Sequence, residues 1–308
     1  MDIFIQQLIN GITLGSVYAL VALGYTMVYG IIGLINFAHG ELVMVGALTS
    51  LTIIKVLASS GVHLPPAVVL IAGVAVAIPV CMALAFIMER VAYRPLRRAP
   101  RLAPLITAIG VSIVLQNIAM MIWGRSYFSF PPVLHVTTYD VAGATLTDQQ
   151  ILIVGLAAAL MAGLLWVVHR TRLGLAMRAT SQNLPIASLM GIDTNRIIVA
   201  AFVIGAALAA VAGLMVSSYY GIAHYYMGFL LGLKAFTAAV LGGIGNLGGA
   251  MLGGLLLGLI ESLGAGYIGD LTGGVLGSNY QDVFAFFVLI GVLIVRPAGL
   301  LGSSADRA

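Results

Sequence analysis

The residues best suited to chemistry lie in one short polar stretch, Asn36-Phe-Ala-His-Gly-Glu41, which interrupts the first long apolar region of the chain. His39 and Glu41 stand two positions apart, and both residue types bind metals or transfer protons. A metal centre needs at least one further ligand, and an acid–base site needs a third group that converges on the same point. The sequence places no such group beside the pair, so we predict neither a metal nor a catalytic residue.

Lys234 and Asn246 are polar residues in a later apolar region, which Glu261 closes. The Lys234 ammonium could reach the membrane surface along its own stem or could line a polar path, and the sequence leaves both interpretations open. Gln116 and Asn117 lie inside another apolar run. For these two, a hydrogen bond to a neighbouring helix is the favoured interpretation.

The stretch Gly243-x-Gly245-x-x-Gly248 matches the dinucleotide-binding pattern in form only. That pattern follows a strand and opens a helix, whereas this one lies between two apolar runs. With the pairs Gly249-x-x-x-Gly253 and Gly254-x-x-x-Gly258, it is better explained as a small-residue face for close helix packing. The chain also lacks the G-x-x-x-x-G-K-[ST] phosphate loop. We therefore expect no cofactor, and we expect ATP, if used, to be bound by a separate polypeptide.

The elements that position these residues must lie in a membrane. Of the 308 residues, 61% are hydrophobic and 8% are charged, whereas a soluble domain carries roughly 25% charged residues. The formal net charge of +4 comes from bases that flank apolar runs, so it predicts contact with lipid and no nucleic acid. Cys81, the only cysteine, lies inside an apolar run and is expected to be a core residue without a disulfide.

Apolar runs of about 20 residues, the length of a helical span, predict an all-α, polytopic membrane bundle. The run 228–268 is broken at 242–249, so we predict two passes joined by a turn there, and eight or nine crossings in total. The break at 36–41 is either a hairpin between spans or a broken helix that lines a path. The similar stretches Gly30-Ile-Ile-Gly-Leu and Gly242-Gly-Ile-Gly-Asn, each near one of these breaks, are consistent with an inverted internal repeat. The runs are 8–35, 42–58, 66–88, 102–124, 151–168, 197–218, 228–268 and 283–295.

The distribution of arginines predicts the orientation of the chain. Residues 89–101 hold five arginines and residues 169–196 hold four, whereas 125–150 holds one and 263–282 holds no base. Because bases concentrate on the cytoplasmic side of a membrane, we place the first two loops inside and the last two outside. Arg296 and Arg307 also place the C-terminus in the cytoplasm.

The loop 169–196 contains a predicted short helix. Asn183 suits its N-cap, and Gly191 suits the position just after its end. The residues between them are mostly apolar, including Ala187 and Leu189, so the helix exposes an apolar face unless something covers it. It either lies on the bilayer surface or docks in a groove of a partner subunit.

Six stretches, spread in order over nearly the whole chain, resemble one family. They are Gly11-Ile-Thr-Leu-Gly-Ser-Val-Tyr-Ala-Leu20, Gly24-Tyr-Thr-Met-Val-Tyr-Gly30, Ile35-Asn-Phe-Ala-His-Gly-Glu41, Glu89-Arg-Val-Ala-Tyr-Arg-Pro95, Ser188-Leu-Met-Gly-Ile192 and Lys234-Ala-Phe-Thr-Ala-Ala-Val-Leu-Gly-Gly-Ile-Gly245. In these stretches the chain resembles the branched-chain amino-acid permeases of ABC importers. The resemblance is to the smaller membrane subunit of the high-affinity leucine/isoleucine/valine system.

The resemblance implies one transmembrane permease domain over 1–308 in the bacterial plasma (inner) membrane, with a cytoplasmic coupling loop at 169–196. The implied partners are a second related permease, two cytoplasmic ABC ATPases that bind ATP, and an extracytoplasmic amino-acid-binding protein. The implied substrates are Leu, Ile and Val, with urea, short-chain amides or other amino acids as alternatives. An ion-coupled secondary transporter is the alternative of another class, because it also uses broken helices.

Two groups of functional residues follow from this interpretation. A zwitterionic substrate needs polar partners along its route, whereas its apolar side chain needs only apolar walls. The residues expected to line or gate the translocation path are Asn36, His39, Glu41, Lys234 and Asn246. The residues expected to couple the chain to the ATPases are Gly174, Arg178, Asn183, Ala187, Leu189 and Gly191.

Overall fold

The computed structural model of the protein describes residues 2–61, 64–97, 99–100, 102–133, 137–141, 143–273, 277 and 280–302. These residues form eleven α-helices, with a π turn and a 3₁₀ turn after α3, and four short strands. The helices are α1 (Asp2–Ile32), α2 (His39–Ser59), α3 (Pro66–Met88), α4 (Leu102–Trp123), α5 (Asp148–Arg170), α6 (Arg172–Gln182), α7 (Leu184–Leu189), α8 (Thr194–Tyr220), α9 (Met227–Gly242), α10 (Leu247–Leu271) and α11 (Gln281–Val295).

Seven of the described helices are long and apolar enough to cross a membrane, namely α1 to α5, α8 and α10. Two more, α9 and α11, are apolar but have only 16 and 15 residues. The predicted helical membrane bundle is therefore confirmed. The count of eight or nine crossings depends on α9 and α11 and stays a prediction.

Four short strands lie in connections for which the sequence predicted no regular structure. Strand β1 (Phe128–Ser129) pairs antiparallel with β4 (Ile222–Ala223), and β2 (Thr138–Val141) pairs antiparallel with β3 (Ala144–Thr147). Gly143 has a φ of +83°, and its N–H donates to the Asp140 carboxylate over 2.9 Å at the end of the β2–β3 hairpin. The strands have two to four residues each, so the fold remains helical.

The chain divides into two compact units. The first unit comprises Met1–Leu23, Val136–Met161 and Lys234–Ala308, and the second comprises Gly24–His135 and Ala162–Leu233.

In the first unit, glycines bring the middle of α1 into backbone contact with the first half of α10. A Cβ atom added to Gly15 would lie 2.7 Å from the Cα of Leu255, and one added to Gly254 would overlap the backbone of Ala19. Gly258 faces Gly15 across the same contact. The small-residue packing face predicted for Gly254-x-x-x-Gly258 is therefore confirmed.

The predicted break between 242 and 249 is a turn between α9 and α10. Gly243 and Gly245 have φ angles of +107° and +94°, a region that side chains other than glycine rarely adopt. The Asn246 side-chain oxygen accepts the Gly249 N–H over 3.0 Å and so caps the start of α10. The turn joins two packed helices, as the sequence predicted.

The end of the described chain is bound to this turn. The N–H groups of Leu300 and Leu301 donate to the carbonyl oxygens of Leu241 and Gly242, each over 2.9 Å. The Asn246 amide in turn donates to the Leu301 carbonyl over 2.9 Å. These bonds satisfy the last carbonyls of α9, which have no partner within the helix itself.

In the second unit, α2 packs against both α3 and α8. A Cβ atom added to Gly46 would lie 2.6 Å from the Cα of Ala210, so α2 and α8 touch through their backbones. Cys81 is buried, and its thiol lies 3.4 Å from the Leu42 carbonyl oxygen. The prediction that Cys81 is a core residue is confirmed.

Side chains in the turns that follow α3 form hydrogen bonds with other parts of this unit. The Tyr93 hydroxyl donates to the Asn36 side-chain oxygen over 2.5 Å. Arg97 forms an ion pair with Glu89 and donates to the Asn195 side chain over 2.7 Å. The end of α3 is thereby linked to the α1–α2 connection and to the first turn of α8.

Candidate functional site

The polar stretch 36–41 is partly turn and partly helix. Helix α1 ends at Ile32, Gly33 has a φ of +65°, and α2 begins at His39. The second apolar run was predicted to start at residue 42, so the helix is longer than expected. His39 and Glu41 consequently lie in the first turn of α2, where they are 1% and 0% exposed.

His39 is packed inside the second unit. Its ring meets Tyr25 edge-on, with 5.0 Å between the ring centroids. Gly24 and Gly205 leave the space that the ring fills, since a Cβ atom on Gly205 would lie 3.3 Å from it. The Nε2 atom has no hydrogen-bond partner among the described residues.

Glu41 is the centre of a buried polar network between α2 and α4. Its Oε1 atom accepts hydrogen bonds from the Ser112 hydroxyl and from the Gln116 amide, each over 2.7 Å. Its Oε2 atom lies against Gly228, where an added Cβ atom would come within 2.7 Å. That oxygen has no hydrogen-bond partner among the described residues. The prediction that Gln116 bonds to a neighbouring helix is confirmed.

A cavity of about 430 Å³ adjoins this network. Its polar lining includes Ser112 and Gln116, which both donate to Glu41. The other side chains that line it are mainly aliphatic or aromatic. The full lining is Tyr25, Phe37, Ile109, Ser112, Ile113, Gln116, Tyr226, Phe229 and Leu233.

The direction of the hydrogen bonds determines what the cavity can bind. The Ser112 hydroxyl and the Gln116 NH₂ group both donate to the Glu41 carboxyl group. The Gln116 NH₂ group also lies 3.3 Å from the Ser112 oxygen. The Ser112 lone pairs and the Gln116 carbonyl oxygen then remain available to a ligand. These acceptors suit a ligand that donates hydrogen bonds, such as an ammonium group.

The turn before α9 positions one wall of the cavity. The His224 Nδ1 atom accepts the Tyr226 N–H over 3.1 Å, and the His224 ring lies 4.7 Å from the Tyr127 ring. Burial lowers the pKa of His224, which favours the neutral form able to accept this bond. Tyr226 is thereby held in the turn just before α9, where it lines the cavity.

Lys234, in the first unit, is held by ion pairs. Its ammonium lies 2.6 Å from Glu261 and 2.8 Å from Asp282, and 5.8 Å from the centroid of the Tyr18 ring. The three charges join α9, α10 and α11. The only Lys or Arg between Arg196 and Arg296 in the sequence thus pairs with two acids. The high cost of a charge in apolar surroundings could have indicated this pairing.

The five residues predicted to line a path divide between the two units. Asn36, His39 and Glu41 share one connection in the second unit, whereas Lys234 and Asn246 belong to the first. The sequence did not single out Ser112, although it stands four positions before Gln116 on one face of α4. The interpretation of Asn117 was wrong. Its amide donates to the Ile113 carbonyl of its own helix over 2.8 Å.

The predicted short helix in 169–196 is α7. The Asn183 side chain accepts the Ile186 N–H over 3.0 Å, and Gly191 has a φ of +84° just after the helix. Both predicted helix ends are therefore confirmed. Ala187 faces inward and is buried, whereas the Leu189 side chain is 86% exposed.

Helix α6 supports α7 from the preceding turn. The Thr171 hydroxyl caps α6 by accepting the Gly174 N–H over 3.1 Å. Gly174 lies directly against the Val168 backbone, where a side chain has no space. Arg178 is exposed on α6. The six predicted coupling residues therefore lie on α6, on α7 and in the turns that flank α7.

Comparison with known proteins gives these features a context. Residues 7–293 match the family model described as the permease component of the branched-chain amino acid transport system. The chain is 48% identical over 303 residues to the high-affinity branched-chain amino acid transport system permease protein BraD of Pseudomonas aeruginosa, covering 97% of this chain and 96% of the relative. It is 46% identical, with the same coverage, to the corresponding protein LivH of Escherichia coli.

A more distant relative matches over the same length. The probable branched-chain amino acid transport permease protein LivH of Methanocaldococcus jannaschii is 27% identical over 304 residues, covering 98% of this chain and 94% of the relative. The range matched by the family model, residues 7–293, contains all six stretches that carry the resemblance. The chain therefore belongs to the family of permease components of branched-chain amino acid transport systems.

Proposed function

We propose that this chain is the transmembrane permease subunit of an ATP-driven ABC importer for Leu, Ile and Val. The observation that carries this proposal is the match of 46–48% identity along 97% of the chain to permeases named for that transport. The chain lacks a phosphate loop, so two cytoplasmic ATPases would bind and hydrolyse ATP. A second related permease and an extracytoplasmic amino-acid-binding protein would complete the importer.

The cavity beside Glu41 is proposed to recognise the substrate during passage. The α-ammonium group would bind the Ser112 and Gln116 oxygens, with the Glu41 charge behind them. The branched side chain would pack against apolar walls such as Ile113 and Phe229. Burial of apolar surface contributes about 25 cal/mol per Å², so these walls favour an aliphatic side chain over a small polar one. This chemistry favours amino acids over urea and short amides, which lack the cation.

The other predicted path residues keep their proposed role. Asn36 and His39 flank Glu41 in sequence, and Asn36 Nδ2 and His39 Nε2 are buried without a hydrogen-bond partner among the described residues. Lys234 forms ion pairs, and Asn246 caps the turn before α10. A role for either residue in the path would require these contacts to change during transport.

The segment of α6 and α7 is proposed to dock in a groove of an ATPase. The exposed Leu189 and Met190 would fill that groove, and Arg178 would lie at its edge. The chain would then lie in the bacterial inner membrane. Its cytoplasmic side would carry the loops 89–101 and 169–196 and the C-terminus. Arg98, Arg101 and Arg307, which support this orientation, lie outside the described residues.

The predicted topology also stays part of the proposal. If α9 and α11 cross the membrane with the seven longer helices, the chain has nine crossings. The Gly-rich breaks before α2 and before α10 remain consistent with an inverted repeat inside one permease domain spanning 1–308.

Uptake into proteoliposomes tests the proposal. The chain is reconstituted with its second permease and ATPases, and uptake of labelled leucine is measured with loaded binding protein. We expect uptake only when ATP is present on the side of the membrane that carries the ATPases. This uptake should persist when an ionophore removes all ion gradients. Uptake that needs an ion gradient and no ATP would instead identify a secondary transporter. Competition by excess urea or acetamide, with none by valine, would reassign the substrate.

A further inference from the structure

A second groove lies at the ends of two candidate spans, outside the proposed site and the coupling segment. Lys55 is in the last turn but one of α2, and Trp123 is the last residue of α4. Both helices have the length and hydropathy of membrane spans. Helix ends of this kind lie at the level of the lipid headgroups, where tryptophan is also enriched. The groove is therefore at the boundary between membrane and water.

The groove is built from α2, α4 and the start of β1. It has a volume of about 430 Å³. The Trp123 indole N–H donates to the Thr52 hydroxyl over 2.8 Å, which fixes the indole against α2. The Lys55 ammonium lies 5.0 Å from the centroid of the Phe128 ring. The lining is Leu51, Thr52, Lys55, Val56, Ser59, Ile122, Trp123 and Phe128.

Lys55 provides the hydrogen-bond donors in this groove that are available to a ligand. The Thr52 hydroxyl donates to the Leu48 carbonyl over 2.8 Å, and the Ser59 hydroxyl donates to the Val56 carbonyl over 2.9 Å. No acidic side chain among the described residues pairs with Lys55. The groove therefore offers one positive charge with unused N–H groups, and it suits a ligand with a single negative charge.

The apolar side of the groove indicates what kind of anion fits. Val56 and Ile122 are 56% and 66% exposed beside the cation. A small free anion would leave these side chains uncovered, whereas a phospholipid covers them with its acyl chain. Anionic lipids are attracted to bases at the membrane surface. We propose that this groove binds an anionic phospholipid, with the headgroup phosphate on Lys55 and an acyl chain along Val56 and Ile122.

Tryptophan fluorescence tests this assignment without any transport assay. The chain has two tryptophans, so a Trp166→Phe variant leaves Trp123 as the reporter. The full chain is placed in phosphatidylcholine nanodiscs with a small fraction of brominated phosphatidylglycerol or brominated phosphatidylcholine. We expect the anionic lipid to quench Trp123 about fivefold more effectively at equal fraction, as one base near the surface implies. Lys55→Met should abolish this preference, and Lys55→Arg should preserve it.

A control variant and a second measurement distinguish lipid binding in the groove from a general attraction of anionic lipid to the positive charge of the chain. Arg172→Gln removes the same charge from α6, and we expect it to keep the preference. Native mass spectrometry of the assembled transporter should show retained phosphatidylglycerol, lost in Lys55→Met. Equal quenching by the two lipids, displacement by inorganic phosphate, or an equal loss in Arg172→Gln would overturn the proposal. So would a Lys55→Met variant that keeps the lipid but binds the extracytoplasmic protein more weakly, because the cation would then serve a protein partner.

Discussion

Replacing Glu41 by Gln tests whether a buried charge guides the substrate. The Gln side chain has the same shape, and its oxygen can still accept from Ser112 and Gln116, so the fold should be preserved. Ser112 Oγ lies 2.7 Å from Glu41 Oε1. An ammonium group bound to Ser112 would therefore be about 5 Å from the carboxylate, given a usual hydrogen-bond length. At an effective dielectric constant of about 20, the lost attraction is about 3 kcal/mol.

An energy of this size corresponds to a decrease of roughly 100-fold in the rate or apparent affinity of the permease step. The assay is ATP-driven leucine uptake in proteoliposomes at saturating loaded binding protein, so that capture by the binding protein does not limit the rate. Asn117→Leu is the matched control on α4, because Asn117 is exposed and bonds only to its own helix. We expect the control to transport normally and both variants to melt near the wild-type temperature.

Two results would refute the reasoning. A Glu41→Gln variant that transports leucine at the wild-type maximal rate would show that the charge does not act on the substrate. A variant that melts far below the wild type would show that Glu41 holds α2 and α4 together, and that lost uptake reports the fold alone.

Three further predictions concern other parts of the chain. A combined Arg178→Ala and Leu189→Asp change should abolish ATP-driven uptake and co-purification of the ATPases while leaving membrane insertion intact, since both side chains are exposed. Asn183→Ala should destabilise α7 by about 1 kcal/mol, seen as faster hydrogen exchange of its amides, with no change in α6. Lys234→Met should destabilise the chain by roughly 3–5 kcal/mol, because it leaves Glu261 buried without its cation. Adding Glu261→Gln should restore part of the melting temperature, and no loss in the single variant would contradict the ion-pair assignment.

The helices could be predicted from the sequence because their length is set by the membrane. Ends that depend on local chemistry were also predictable, as Asn183 and Gly191 show. The start of α2 was not, because His39 and Glu41 look like residues of a polar loop. They enter the helix only because Gly24 and Gly205 leave room for the His39 ring and α4 provides donors for Glu41. Those contacts join residues far apart in the sequence.

The direction in which individual side chains point, and the partners they contact, could not be predicted in the same way. Apolar residues occur on every side of helix α4, so the sequence carries no strong periodic signal for the direction of its core. Gln116 and Asn117 are neighbours with the same chemistry, but one reaches Glu41 and the other is exposed on the helix surface. The partners of Lys234 were similarly hidden, since Asp282 lies in a separate helix. The pairing of β1 with β4 involves two residues from each strand, too few to leave a pattern.

The backbone bonds that hold Leu300 and Leu301 against the end of α9 restrict how this protein can be engineered. An affinity tag or a fluorescent reporter placed after Gly302 leaves those bonds in place. Shortening the polypeptide to before Leu300 would strip two donors from the α9 carbonyls and remove the acceptor of the Asn246 amide. A shortened variant made for crystallisation should therefore keep residues 300–302, because without them the α9–α10 turn loses these hydrogen bonds.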